Sequence, residues 1–207
     1  RPAPNPPAAR REFGLPPTAH LYLCPQRPLK VHPDLDALLA AILRRDPLGF
    51  VILLRGRSGI AADQLAARFR TTLPDVADRV VWLPWQEEAA YHRLLTLADV
   101  VLDPLHYGAG SSCYDIFSHD LPLVTLPGPY NASRYAQACY RKMGLPDLVA
   151  SSPAHYVDLA IRLGTDPDYR RDVTARIAAA SPVLFEDMDV VREHEWFFER
   201  AVKQAGP

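Results

Sequence analysis

The segment ADVVLDPLHYGAGSSCYDIFSHDLPLVTLPG, residues 98–128, joins two apolar runs through a loop of small residues. The runs DVVLDP (99–104) and LPLVTLPG (121–128) are typical of buried strands, and the residues up to His119 predict a helix between them. Two strands joined by a helical crossover are the unit of a parallel sheet. The loop HYGAGSSCYD (106–115) is either a plain connection or a place where the backbone closely approaches a bulky anion.

The same alternation of strands and helices continues on both sides of this segment. Further strands are predicted at HLYLC (20–24), FVILLRG (50–56), RVVWLP (79–84) and DLVA (147–150). Helices are predicted over 33–46, 60–71, 87–98, 133–144, 153–163, 167–180 and 188–204. The predicted fold class is therefore α/β, a doubly wound, Rossmann-like parallel sheet of about six strands. In the order 3-2-1-4-5-6 a ligand binds where the order reverses, between the loops 25–32 and 106–115.

The chain divides into three parts by composition. Residues 1–19 are rich in Pro and Ala and are expected to be a linker. Residues 20–186 form the predicted sheet domain, and residues 187–207 form a C-terminal helix. Because the chain begins with Arg1 rather than Met, we expect it to be a fragment of a longer protein.

The overall composition is that of an ordinary soluble protein, with 48% hydrophobic residues, 23% charged residues and a formal net charge of -1. This charge argues against extended nucleic-acid binding, and the sequence has no apolar run long enough for a membrane span. The three widely spaced cysteines fit neither a disulfide framework nor a zinc site. We therefore expect a reducing, cytoplasmic setting.

The loop at 106–115 has the chemistry of an anion site. Ser111 and Ser112 can cap the following helix, whose first N–H groups attract a phosphate. Asp115 lies about one turn further on, where a carboxylate can accept both hydroxyls of a ribose. Lys30 can bring a positive charge from the other loop. A local interpretation stays open, because Ser112 and Asp115 also fit a capping box and a lone lysine is commonly solvated.

Four blocks of the sequence together resemble one known family. They are YLCPQRPLKVHPDLDALLAAIL, LADVVLDPLHYGAGSSCYDIFSHDLPLVTLPG, SRYAQACYRKMGLPDLVA and YVDLAIRLGTDPDYRRDV. They resemble the C-terminal half of the O-linked N-acetylglucosaminyltransferase family, the SPINDLY-like glycosyltransferases that are usually joined to tetratricopeptide repeats. The resemblance implies a GT-B fold, in which two Rossmann-like halves face each other across a cleft. Residues 20–186 would then be the half that binds the nucleotide sugar.

The resemblance implies that two loops hold the diphosphate of the nucleotide. Gln26 and Lys30 correspond to the family's glutamine and lysine that contact the diphosphate. The family's phosphate-holding loop corresponds to Gly110, Ser111 and Ser112, and Gly110 stands where the family often has a histidine. Lys30 is also the catalytic candidate, because its charge would stabilise the leaving diphosphate. No metal and no other cofactor are expected, since the UDP-sugar is the donor substrate.

The resemblance implies that a second group of residues binds the nucleoside. Asp115 corresponds to the family's ribose-binding aspartate. Tyr91 replaces a histidine that lies against the uracil in the animal enzymes, and a tyrosine ring can still stack on a base. Trp85 and Gln86, which end the third strand, are expected to make backbone contacts to the base. His106 is either a simple loop histidine or a residue that faces the sugar.

Two further groups of residues have local interpretations. Asp99 and Asp103 bracket the fourth strand and are interpreted as turn residues. Trp196, Phe197 and Phe198 of the last helix are interpreted as packing residues, and part of that helix is expected to cross to a missing N-terminal half.

The leading hypothesis is the donor-binding half of a protein O-glycosyltransferase, which transfers a sugar from UDP-sugar to Ser or Thr hydroxyls. The expected partners are UDP-N-acetylglucosamine or a related nucleotide sugar, and a protein acceptor bound through N-terminal repeats. The alternatives are a non-catalytic nucleotide-sugar-binding or interaction module and a small-molecule GT-B glycosyltransferase. The isolated chain is expected to be inactive without its N-terminal half.

Overall fold

Five parallel strands form one sheet in the computed structural model, which describes residues 9–205. The strands are β1 (His20–Cys24), β2 (Gly49–Leu54), β3 (Val80–Leu83), β4 (Val100–Leu102) and β5 (Leu123–Val124). The helices are α1 (Asp34–Arg45), α2 (Ile60–Thr72), α3 (Glu88–Leu95), α4 (Ser112–Ser118), α5 (Tyr135–Met143), α6 (Pro153–Thr165), α7 (Pro167–Ala180) and α8 (Met188–Ala205). The predicted α/β, doubly wound fold is confirmed.

The strand order is β3-β2-β1-β4-β5, with β1 at the centre. Leu21, Tyr22, Leu23 and Cys24 of β1 are all buried, although they point alternately to the two faces of the sheet. Strands that are apolar on both faces belong to parallel sheets with helices on each side. The order reverses between β1 and β4, so the loops that follow these two strands meet, as the sequence predicted.

The predicted sixth strand, residues 147–150, is reduced to a single pairing. Thr125 and Val149 form an isolated parallel bridge just beyond β5, and the Ala150 N–H donates to the Thr125 carbonyl at 2.7 Å. Residues Pro146–Leu148 form one turn of 3-10 helix instead of extended chain. The expected sheet of about six strands is therefore a sheet of five in the described residues.

The segment expected to be a linker packs on the domain where the structure describes it. Leu15 and Ala19 are buried in the core. The Arg10 guanidinium donates to the Ala19 carbonyl at 2.5 Å and to the Asp99 carboxylate at 3.3 Å. Residues 1–8 of the expected linker lie outside the described residues. The division of the chain into linker, domain and C-terminal helix stays a prediction.

Helix α8 presents its apolar residues to solvent. Every residue from Met188 to position 204 is exposed, including Trp196, Phe197 and Phe198. These three aromatic side chains therefore do not pack in the core that the structure describes, and the crossing of α8 to a second half stays a prediction. None of the helices among the described residues is both long and apolar enough to cross a membrane.

Candidate functional site

A cavity of about 780 Å³ lies where the strand order reverses, between the loop after β1 and the loop after β4. Its lining includes seven of the predicted site residues, namely Gln26, Lys30, Tyr91, Gly110, Ser111, Ser112 and Asp115. The other two, Trp85 and Gln86, line a second cavity of about 470 Å³. Gln26 and Tyr91 line both cavities, so the two lie side by side.

A chain of hydrogen bonds joins the two loops beside the larger cavity. Lys30 Nζ donates to Gln26 Oε1 at 2.9 Å and to the Gly108 carbonyl at 3.0 Å. Gln26 is buried, and its Nε2 donates to Ser112 Oγ at 2.6 Å. The Ser112 hydroxyl donates in turn to the Ala109 carbonyl. The Lys30 ammonium is thus held with two of its three N–H donors in use.

The environment of Lys30 combines partial burial with an aromatic face and a carboxylate. Its Nζ lies 4.6 Å from the centre of the Tyr107 ring. Burial lowers the pKa of Lys30, and the nearby Asp103 carboxylate acts in the opposite direction. A ring face and a carboxylate both favour the charged form of a lysine. Partial removal from water also strengthens the attraction between this charge and a bound anion.

The capping box that Ser112 and Asp115 could have formed is absent from the structure. Ser111 is the N-cap residue of α4, and its side chain makes no capping hydrogen bond. The Ser112 hydroxyl is committed to the loop and to Gln26 instead. The local interpretation of Ser112 and Asp115 is therefore wrong.

The first N–H groups of α4 are less available than the sequence indicated. Those of Ser112, Cys113 and Tyr114 donate to carbonyls three residues earlier, at 3.0–3.1 Å. Gly110 has a φ of 53°, which favours glycine, and a side chain there would meet no atom within 4 Å. Small residues keep this side of the cavity open, while Lys30, Arg27 and the exposed Ser111 hydroxyl line it with groups that attract an anion.

Asp103 is a buried carboxylate beneath the loop, and its interpretation as a turn residue is wrong. Its Oδ2 accepts a hydrogen bond from the Thr125 hydroxyl at 2.7 Å, and its Oδ1 has no hydrogen-bond partner among the described residues. A Cβ on Gly108 would lie 3.0 Å from both carboxylate oxygens, so a side chain there would push the carboxylate aside by a few tenths of an ångström. Burial raises the pKa of Asp103 to about 7, against the opposing effects of the Thr125 hydroxyl and the Lys30 charge.

Asp115 and Tyr91 lie near each other on the α3 and α4 side of the cavity. Burial raises the pKa of Asp115, opposed by nearby His92 and assisted by Glu88. The Asp115 carboxylate makes no hydrogen bond to another described residue, so both its oxygens remain available as acceptors. The Tyr91 hydroxyl is buried without a partner among the described residues, and burial and the Asp115 charge raise its pKa.

Trp85 and Gln86 line the smaller cavity, which shares Gln26 and Tyr91 with the larger one. The Arg57 guanidinium lies 3.9 Å from the centre of the Trp85 ring, and Gln86 Nε2 donates to the Pro84 carbonyl at 2.8 Å. The structure thus brings these two residues next to the other predicted residues without placing them in the same cavity.

The sequence analysis missed Lys142 and the contact between His106 and His32. Lys142 of α5 lines the larger cavity and forms an ion pair with Asp187. His106 does not line it and turns outward, with Nε2 2.7 Å from Asp34 Oδ2 and His32 close by. His32 and His106 lie in the two loops that the sequence predicts to meet. Their contact could therefore have been predicted from the sequence.

A doubly wound parallel sheet with a cavity at its reversal point defines the class of Rossmann-like α/β domains. Within that class, the sequence model of glycosyl transferase family 41 matches residues 5–189. The chain belongs to this family. The resemblance seen in the sequence blocks is therefore confirmed.

The relatives are peptide glycosyltransferases that are much longer than this chain. The UDP-N-acetylglucosamine–peptide N-acetylglucosaminyltransferase of Caenorhabditis elegans is 28% identical over 180 residues, which cover 86% of this chain and 16% of that protein. The protein of the same name from Giardia intestinalis is 28% identical over 179 residues, which cover 85% of this chain and 12% of its own length. The chain thus spans less than a fifth of these curated relatives.

A comparison with a solved structure supports the fold of this chain. A mutant of the Thermobaculum terrenum O-GlcNAc transferase superposes with a TM-score of 0.77 and 23% sequence identity, covering 88% of this chain and 36% of that chain. The predicted Rossmann-like, GT-B type of fold is therefore confirmed.

Proposed function

We propose that this chain is the donor-binding half of a protein O-glycosyltransferase, and that its 780 Å³ cavity binds the UDP part of UDP-N-acetylglucosamine. The observation that carries the proposal is the position of Lys30. Its ammonium bridges the loops after β1 and β4, at the point where sheets of this kind bind nucleotides. Membership in glycosyl transferase family 41 supports the same reading.

The diphosphate binds next to Lys30 and the α4 start. Two N–H donors of Lys30 are occupied by neutral oxygen acceptors, and the third can donate to a phosphate oxygen. Ser111, which is exposed at the same edge, offers a hydroxyl donor. Gln26 acts indirectly, because its amide bonds both Lys30 and Ser112 and so fixes their relative positions.

The nucleoside binds on the Tyr91 and Asp115 side. The ribose hydroxyls donate to the unpaired oxygens of Asp115, and the uracil packs against the Tyr91 ring. Trp85 and Gln86 lie beyond that ring and offer backbone groups to the edge of the base.

In the transfer, an acceptor Ser or Thr oxygen forms a bond to the anomeric carbon of the sugar as the bond from that carbon to the diphosphate breaks. Negative charge then builds on the departing diphosphate. Lys30 is already oriented toward it by Gln26 and Gly108, so its charge stabilises the transition state without rearrangement. The groups that orient the acceptor and remove its proton lie on the N-terminal half, the protein acceptor binds through repeats there, and we propose a cytoplasmic location.

Calorimetric titration of the chain with UDP, ADP and inorganic pyrophosphate tests this function. We expect UDP to bind with a dissociation constant between about 1 µM and 1 mM, the range of a half-open site. ADP and pyrophosphate should bind at least about tenfold more weakly, because they lack the uracil contacts. Equal affinity for UDP and pyrophosphate would mean that the cavity is only a general anion site, and the proposal would be wrong.

A further inference from the structure

Three side chains that are typical metal ligands meet at the rim between the two loops. His106 Nε2 lies 2.7 Å from Asp34 Oδ2, and His32 Nδ1 lies 3.4 Å from the same oxygen. All three ligand atoms lie within 4.8 Å of one another. The two imidazole rings meet edge to face, with centres 4.5 Å apart. The group is exposed, so an ion can reach it directly from solvent.

We propose that His32, Asp34 and His106 form a binding site for a divalent transition-metal ion of the zinc class. Two imidazole nitrogens and a carboxylate oxygen are a ligand set that such ions prefer. Around a tetrahedral zinc ion, ligand atoms about 2.0–2.1 Å from the metal stand roughly 3.3 Å apart. Two of the separations, 2.7 and 3.4 Å, are near this value, and the third is at most 4.8 Å. His32 Nδ1 accepts the Asp34 N–H at 3.2 Å, so this ring must give up that bond and rotate toward the ion. A water molecule completes the fourth position.

The charges in this group suit a cation. The Asp34 carboxylate supplies an acidic ligand group, and its Oδ2 contacts both imidazole rings. The three cysteines are all buried away from solvent, so thiolates do not compete for an added ion.

The position of the site predicts what a bound ion does. His32 ends the loop after β1 and Asp34 begins α1, while His106 precedes Tyr107 in the loop after β4. Tyr107 faces the Lys30 ammonium at 4.6 Å. A metal on these three residues therefore ties together the two loops that form the larger cavity. The ion lies beside that cavity and takes no part in the sugar transfer proposed above.

Cobalt and zinc titrations of the untagged protein test the site without any nucleotide. Cobalt(II) reports on its coordination through visible absorption, and calorimetry gives the stoichiometry and affinity for zinc. We expect one zinc ion per chain, a cobalt spectrum of four-coordinate type without thiolate bands, and a higher thermal unfolding midpoint with zinc. The variants His32→Ala, Asp34→Asn and His106→Ala should each bind zinc at least about tenfold more weakly.

His194→Ala is the matched control, because His194 is an exposed histidine whose one hydrogen bond within the described part of the chain is to the Val190 carbonyl of its own helix. Its zinc affinity should equal that of the unmodified chain. Circular dichroism without metal verifies that each variant is folded. The proposal is overturned if zinc fails to bind at about 1 mM, if His106→Ala binds it as tightly as the unmodified chain, or if His194→Ala loses binding to the same extent.

Discussion

Replacing Lys30 by alanine should separate the binding of the diphosphate from the binding of the nucleoside. The half-buried Lys30 ammonium joins the two loops of the cavity, because it donates hydrogen bonds to Gln26 Oε1 and to the Gly108 carbonyl. A hydrogen bond to a charged group contributes about 1.5–3 kcal/mol, so Lys30→Ala should weaken UDP binding roughly tenfold to a hundredfold. Uridine has no phosphate, and its affinity should change by less than about threefold.

Isothermal titration with UDP and with uridine measures both affinities, and Lys142→Ala serves as the matched control. Lys142 lines the same cavity, but Asp187 already neutralises its charge at the surface. Such exposed pairs contribute under about 1 kcal/mol, so this variant should lose less than about fivefold in UDP affinity. If Lys30→Ala weakened UDP and uridine equally, or if the two lysine variants behaved alike, the diphosphate would not bind at Lys30.

Three other predictions concern the rest of the site. Asp115→Asn should keep its thermal unfolding midpoint, because the carboxylate bonds no described residue. It should bind UDP about tenfold more weakly by calorimetry. A lower midpoint with unchanged affinity would make the role of Asp115 structural. Asp103 holds its proton more tightly when folded, with a pKa of about 7, than when unfolded, near about 3.9. Its contribution to the free energy of unfolding is therefore complete below about pH 4 and lost as the pH rises to 7, with a slope of up to about 1.4 kcal/mol per pH unit. Asp103→Asn should lack this slope in denaturant unfolding between pH 4 and 8, and an unchanged slope would contradict the burial argument. The chain alone should transfer no label from radioactive UDP-N-acetylglucosamine to proteins of a cell lysate, and turnover above that of Lys30→Ala would show that one half is sufficient.

The fold was predictable because it depends on local patterns. The continuous apolar run at 50–56 indicated a strand buried on both faces, and helical spacing located α1 and α7 to within about two residues. The strand-order rule then brought the loops 25–32 and 106–115 together. The predicted sixth strand is too long, since residues 147 and 148 belong to a 3-10 turn and the rest of the run makes only one bridge among the described residues.

The details of the site depend on contacts that no local pattern contains. Asp103 resembles a turn residue in sequence, and only the packing of Gly108 and Thr125 around it makes it a buried carboxylate. The spacing of Ser112 and Asp115 fitted a capping box, but Gln26, 86 positions away from Ser112, takes the serine hydroxyl instead. Such pairings follow from the meeting of two loops, and their geometry is not contained in either loop alone.

A crystal structure of the chain saturated with UDP tests the central claim most directly. The account predicts the diphosphate in the larger cavity, with a phosphate oxygen within hydrogen-bond distance, about 2.7–3.2 Å, of Lys30 Nζ. It also predicts the ribose hydroxyls on the Asp115 carboxylate and the uracil against Tyr91. UDP bound with its phosphates away from Lys30, or with its ribose away from Asp115, would contradict the proposed donor site.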